Sequence, residues 1–313
     1  MKLADAIDEY IGHMQAAGRS YVAQISLFRH FSRSMGDVEV RDVPSEAVRR
    51  FLESRGTSAG YRRGVYCTVG RFYRYLIAQG HAIPYPLPTV LPKGPADFTP
   101  YIYSIEELRR LLAATDSYYR CKTQMGLHGG TFRALLLLLY GAGLRISEAL
   151  SLTLADVDLR TSLLTIRESK FYKTRLVPVG TDLNRVLRNY MREQRPALPV
   201  ASSDPLFVSQ KGSSFTRGTA EKSFRRLCTF IGLHAPGGPY RQPRLHDLRH
   251  TFAVHHLLSW YRAGADVQRL LPHLSTYLGH RELSGTQRYL TMTPELLREA
   301  GMRFQGYAMG GDA

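Results

Sequence analysis

The chain has 313 residues, 44% of them hydrophobic, which is enough for two domains with packed cores. Its 42 Lys and Arg against 26 Asp and Glu leave a net charge of +16 and a pI near 9.9; a surplus of that size points to a polyanionic partner, nucleic acid first, with a merely basic enzyme as the rival. Cys67, Cys121 and Cys228 form no CxxC pair, MKLADAIDEY lacks a signal-peptide core and the run Ala134–Tyr140 is too short to span a bilayer, so the expectation is a reduced, cytoplasmic protein with no disulfide framework and no membrane partner.

Residues 1–83 read as a helical domain. Ser45, after Pro44, is expected to cap the helix EAVRRFLESR. The stretch TSAGYRRGVYCTVGRFYRYLIAQG reads as a longer helix closed by Gly80 at C′. On it Val65, Val69, Phe72 and Leu76 share one face. Arg62, Arg63, Arg71 and Arg74 are candidates for phosphate contact, because no acid stands between Glu53 and Asp97. Interleaved Tyr61, Tyr66, Tyr73 and Tyr75 are expected to reach toward the same backbone, against the plain alternative of a solvated helix face.

Prolines at 84, 86, 88, 92, 95 and 100 forbid a helix and mark residues 84–103 as a linker. A capping box, Ser104 to Glu107, then opens IEELRRLLAA, and residues 104–313 read as a second, mostly helical domain. Inside it LLTIRES and TRLVPV alternate as strands around a hairpin tip, KFYK. The fold class expected is mainly α with one small antiparallel sheet. After the last chemical segment, PELLREAGMRF reads as a short amphipathic helix, packed either on its own domain or on a neighbouring subunit.

Four segments of this second domain carry chemistry. In YGAGLRISEALSL, Arg145 and Glu148 are three apart on a helix, which alone suits a plain salt bridge. RESKFYKTRLVPV puts Lys170 and Lys173 on the hairpin tip. RLHDLRHTFAVHH sets His246 and Arg249 three apart, an imidazole and a guanidinium fork suited to a phosphate. His246 and His250 also have the spacing of a zinc helix, but Asp247 stands where that motif needs glutamate. YLGHRELSGTQRYL carries His280 and, nine residues on, Tyr289. Each is ambiguous by itself. Together they supply what metal-free attack on a phosphodiester requires: a phenol nucleophile, two arginines for the phosphorane charge, a lysine to protonate the leaving oxygen and imidazoles to move protons.

With those residues in that order, the chain resembles the tyrosine recombinase (phage integrase) family, and within it the Xer-like bacterial recombinases. The resemblance is strongest from Ile105 to Met292. It implies a helical, SAM-like core-binding domain and a catalytic domain that together clamp DNA in a C shape. It implies catalytic Arg145, Lys170, His246, Arg249, His280 and the nucleophile Tyr289, with Glu148 in support; Lys173 is the lesser choice for the lysine and is grouped with the four arginines as a DNA contact. No metal and no other cofactor is implied. The implied partners are double-stranded DNA with specific recombination sites and further copies of the chain or related recombinases, two protomers per site and four in a synapse. Integration, excision, resolution and transposition all fit. A type IB topoisomerase, a DNA-binding protein with a dead site and a metal-dependent nuclease are the rivals. The stretch between Arg249 and His280 is longer than in Xer-like members, with the excess in SWYRAG and LLPHLSTY, and the region Tyr119–Leu127 looks extended as well.

Overall fold

The structure is a computed structural model. It describes residues 1–18, 21–56, 58–90, 99–121, 128–169, 173–195, 201–210, 212–214, 216–235 and 242–308. The chain divides into two compact units, Met1–Phe98 and Thr99–Ala313.

The first unit packs four helices: α1 (Leu3–Ala16), α2 (Val22–Met35), α3 (Ser45–Glu53) and α4 (Ala59–Ala78). Val65, Val69, Phe72 and Leu76 all point into its core, as their spacing dictates. Tyr73 joins them fully buried, because α4 packs against α1, α2 and α3 at once and so needs a wider apolar face than one stripe. The expected tyrosine reach toward DNA therefore fails at three positions. The Tyr73 ring is in the core, the Tyr66 hydroxyl donates to the Pro88 carbonyl at 2.6 Å and the Tyr75 hydroxyl to Glu9; Tyr61 alone of the four is exposed. Ser45 is not the cap of α3 but its first residue. Pro44 takes the cap position in an extended conformation and its carbonyl accepts the N–H groups of Ala47 and Val48. Gly80 adopts the left-handed conformation just past α4 that closes a helix.

Part of the expected linker is built into the two units. Leu87 is buried in the first core and Tyr103 in the second, where its hydroxyl donates to the Arg244 carbonyl at 2.9 Å. Residues 91–98, between them, lie outside the described part.

The second unit holds α5 (Ile105–Cys121), α6 (Gly129–Gly141), α7 (Ile146–Ser151), β1 (Val157–Asp158), β2 (Leu163–Ser169), β3 (Lys173–Pro178), α8 (Thr181–Asn189), α9 (Arg217–Phe230), α10 (Asp247–Arg262), α11 (Val267–Leu278), α12 (Ser284–Gln287) and α13 (Pro294–Ala308). Ser104 and Glu107 cap α5 reciprocally, at 3.2 and 2.7 Å. The three strands form one antiparallel sheet in the order β1-β2-β3, with Ile166 opposite Arg175 and an irregularity between Ile166 and Ser169. Leu164, Ile166 and Val177 line its buried face. Apolar α6 runs through the middle of the unit and packs on α5, α8 and α10. The long stretch after Arg249 becomes the end of α10 and all of α11. Its excess supports α13: Arg262 pairs with Glu295 and Glu299, Arg303 donates to the carbonyls of Gly264 and Ala265, and Leu296 is buried against α10. Residues of α13 from Glu295 to Arg303 thus contact their own unit. Residues 122–127 of the other extended region lie outside the described part. Among the described residues no helix is long and apolar enough to cross a membrane.

Candidate active site

The site forms where α7, α10 and the turn from α11 to α12 meet. Gly143, at φ +58°, turns the chain sharply after α6; a side chain there would run into the Phe252 ring and Leu278. The turn delivers Arg145 to the cap position of α7, and Glu148 reaches back to accept its backbone N–H at 3.0 Å. The same carboxylate accepts from Arg145 Nη1 at 2.6 Å and, at 3.1 and 2.9 Å, from both terminal nitrogens of Arg175 on β3. Arg249 Nη1 stands 3.9 Å away. One carboxylate, 5% exposed, therefore organises three guanidiniums. Burial alone would raise its pKa, but the Arg175 hydrogen bonds and charge, then those of Arg145, outweigh this and bring it to about 2.

The second anchor is the end of α11. A helix leaves its last carbonyls without partners. Here three successive ones each take a different arginine: Tyr277 accepts from Arg175 at 3.0 Å, Leu278 from Arg249 at 2.6 Å and Gly279 from Arg145 at 2.8 Å. Cations at a helix C-terminus also suit its dipole. Arg249, 2% exposed, gives its other terminal nitrogen to the Gly143 carbonyl at 2.8 Å. Burial, then Arg145, lowers its pKa to about 10, which leaves it protonated near neutral pH.

His246 sits at the start of α10 and His250 one turn on, their rings in edge contact at 4.8 Å between centroids. His280 follows the left-handed Gly279, and its Nδ1 lies 2.6 Å from the Thr286 hydroxyl. Tyr289 occupies a short 3-10 turn after α12 and is 2% exposed. Its ring stacks on His280 at 6.0 Å and tilts against His250 at 5.6 Å, and the Arg249 charge lies near enough to act on its phenol. Burial raises the phenol pKa, while Arg249, Arg145 and Arg288 oppose the rise. Burial, reinforced by nearby positive charge, lowers His246 and His280 to about 4; burial, then His246 and Arg249, lowers His250 to about 3. All three imidazoles are neutral near pH 7.

Arg145, Glu148, His246, Arg249, His280 and Tyr289, picked from three separated segments, are thus brought together. Lys170 lies outside the described residues. Lys173 is the first residue of β3, opposite Ser169. On α4, Arg71 and Arg74 are exposed and Arg62 and Arg63 half-buried. Among the described residues no group of three or more His, Cys, Asp or Glu side chains is placed to hold a metal ion, and Asp247 turns to Arg244 instead, at 2.9 Å. Sequence reasoning missed Arg175 and Thr286, and weighed His250 only as a metal ligand. Arg175 had left a signal: on β3 the alternation that puts Val177 and Val179 inward puts Arg175 inward too, with Leu176 left on the solvent side. No pattern marks Thr286.

Residues 104–295 match the model of the phage integrase family. The chain is 42% identical over 239 residues to a putative integrase/recombinase (y4rB) of Sinorhizobium fredii, an alignment covering 75% of this chain and 74% of that protein. It is 30% identical to the tyrosine recombinase XerC of Oceanobacillus iheyensis, with 97% of each chain covered. Its fold is similar to that of the Tn1549 transposon integrase, solved in complex with a circular intermediate DNA, at a TM-score of 0.71 and 17% identity over 97% of this chain and 99% of that one. The chain belongs to the phage integrase family and is a tyrosine-type site-specific DNA recombinase.

Proposed function

We propose that Tyr289 is the nucleophile that cuts and rejoins DNA. Its phenol oxygen bonds to a backbone phosphorus while the bond to the 5′ oxygen breaks, giving a 3′-phosphotyrosyl link and a 5′-hydroxyl. Arg145 and Arg249 hold the non-bridging oxygens and neutralise the charge of the pentacoordinate phosphorane. His246, neutral near pH 7, takes the phenol proton, and Lys170 protonates the leaving 5′ oxygen. His280 gives the phosphate a further hydrogen bond from Nε2, its Nδ1 being engaged by Thr286. Glu148 orients Arg145. A 5′-hydroxyl of a second strand then reverses the attack, so the phosphodiester energy is kept and neither ATP nor metal enters the balance. The observation that carries this reading is the Tyr289 ring held buried against the imidazoles of His250 and His280, with the charges of Arg249 and Arg145 acting on its phenol.

The partner is double-stranded DNA bearing a specific recombination site. Arg62, Arg63, Arg71 and Arg74 of the first unit and Lys173 of the hairpin contact its phosphates, so both units bind the duplex. Exchange between two duplexes needs four cleavages, hence two protomers on each site and four in the synapse. The biological outcome is integration, excision or transposition of a DNA element in the cytoplasm.

Covalent trapping tests the reading. The protein is incubated in chelator with fragmented DNA of its own replicon and denatured, and the linked ends are sequenced. Linked fragments sharing one sequence, absent with Tyr289→Phe, are expected. Adducts persisting in Tyr289→Phe would remove Tyr289 as nucleophile, and linked ends with no common sequence would favour relaxation of the type IB topoisomerase kind.

A further inference from the structure

Arg175 is a charged residue on the buried face of a strand. Its neighbours on that face are Val177 on β3 and, across the ladder, Ile166. Its side chain is only 13% exposed. Burying a guanidinium is costly unless every donor is matched, and an apolar residue of similar size commonly serves stability as well or better. All three kinds of donor on Arg175 are matched: Nη1 and Nη2 to the two oxygens of Glu148, and Nε to the Tyr277 carbonyl. Tyr277 answers in the other direction, its hydroxyl donating to the Pro178 carbonyl at 3.1 Å, so β3 and the end of α11 are laced twice. The fit is tight as well, since a Cβ at Gly279 would stand 2.9 Å from Arg175 Nη1. Among the described residues Arg145, by contrast, has only Glu148 and the Gly279 carbonyl to aim its side chain, and it is 25% exposed. Both of those partners are held by Arg175 or lie beside it.

We propose that Arg175 is a positioning residue for strand cleavage: by fixing the Glu148 carboxylate and the end of α11 together, it sets where the Arg145 guanidinium meets the scissile phosphate. It touches neither phosphate nor nucleophile, and the proposal rests on the reading of Arg145 and Tyr289 given above. A buried ion pair with a bidentate fork serves this end better than a hydrophobic contact, because it fixes direction as well as distance. Glu148 owes its low pKa first to Arg175 among the groups that oppose its burial, so loss of Arg175 also raises the carboxyl toward protonation.

The test compares wild type, Arg175→Met and Arg175→Lys in chelator on fragmented replicon DNA, following the rate of Tyr289-linked adduct against DNA concentration, with melting temperature read in parallel. Lysine keeps the charge but cannot bridge both oxygens and the Tyr277 carbonyl. Both variants are expected to lose about 100-fold in rate at saturating DNA, with half-saturating DNA changed less than about twofold. Arg175→Lys is expected to melt close to wild type. In Arg175→Met the rate should also begin to fall at a higher pH than in wild type on the acid side, because Glu148 takes up a proton more readily without Arg175. If Arg175→Lys recovers rate and melting temperature together, or if both variants lose rate only in step with melting, Arg175 is structural and the proposal is overturned. If the wild type itself gives no Tyr289-dependent adduct, the catalytic reading falls, and the proposal with it.

Discussion

The imidazole of His280 and the phenol of Tyr289 lie nearly parallel, 26° apart, while the Thr286 hydroxyl holds Nδ1 of that imidazole at 2.6 Å. Thr286 is fully buried, so it acts on the ring and not on solvent. Thr286→Val keeps the shape and removes the hydrogen bond. It should slow adduct formation by about 10-fold, in the range seen when the outer partner of a functional imidazole is lost. Stability should change by only about 1 kcal/mol. An unchanged rate would mean that His280 needs no such orientation.

The neutral imidazoles make stability depend on pH in a defined direction. His246 and His280 titrate at about 4 and His250 at about 3 in the folded chain, against 6.5 for the free side chain. Between these values the unfolded chain binds protons that the folded one does not, so stability is complete above pH 6.5 and is lost as pH falls toward 4. Glu148 adds a loss only below its ordinary 4.5, as pH approaches 2. The melting temperature should therefore begin to fall well before carboxylates titrate. NMR titration of the free protein should show these three ring signals still in the neutral form at pH 5.5. A midpoint near 6.5 for His246 would contradict its burial and its part as an unprotonated acceptor.

Glu148 offsets the charge of Arg145, Arg175 and Arg249. Glu148→Ala leaves buried guanidiniums without a counter-charge, which should cost about 3–5 kcal/mol in urea unfolding. Glu148→Gln should cost less, because its amide oxygen still accepts. A loss under about 1 kcal/mol for alanine would mean that the three-arginine arrangement relaxes freely.

What the sequence disclosed follows from how local each signal was. The capping box at Ser104, the two long strands and the apolar stripe of α4 depend on neighbours a few residues apart, and they stand where their patterns put them. Arg145, Arg249 and Tyr289 were legible as a set because the proposed chemistry needs all of them, and the fold brings them together. The contacts that hold them were not: the carbonyls of Tyr277, Leu278 and Gly279 have no side-chain signature, and their partners come from up to 134 residues away. Tyr73 was misjudged for the same reason, since a helix packed on three others buries positions that its own period assigns to the rim.

Two glycines separate stability from catalysis. At Gly143, φ +58°, an added Cβ would lie 2.6 Å from the Phe252 ring, which is fixed in the core. Gly143→Ala combines left-handed strain with overpacking and should cost about 2–4 kcal/mol. At Gly279, φ +67°, the obstacle is the Arg175 guanidinium. Gly279→Ala adds left-handed strain of about 1–2 kcal/mol and must also shift the anchored Arg175 guanidinium, so it should slow adduct formation at saturating DNA more than its loss of folding explains. Equal effects of the two on rate per folded molecule would contradict this division.

The last prediction concerns the first unit, whose proposed DNA contacts depend on charge. Arg71 and Arg74 are exposed on α4, and Arg71 already bonds the Cys67 carbonyl through Nε at 3.2 Å and the Thr68 hydroxyl through Nη2 at 3.3 Å, which orders its side chain. Each phosphate neutralised releases condensed counterions, so log K falls with log salt by about 0.9 per contact. Replacing both arginines by Gln should lower the magnitude of that slope by about 1.8 and weaken binding alike on specific and unrelated duplexes, because phosphates carry no sequence. Binding by fluorescence anisotropy at several salt concentrations measures it. Weaker binding with the same slope would assign these side chains to the packing of α4, and a loss confined to one sequence would assign them to base edges in a groove.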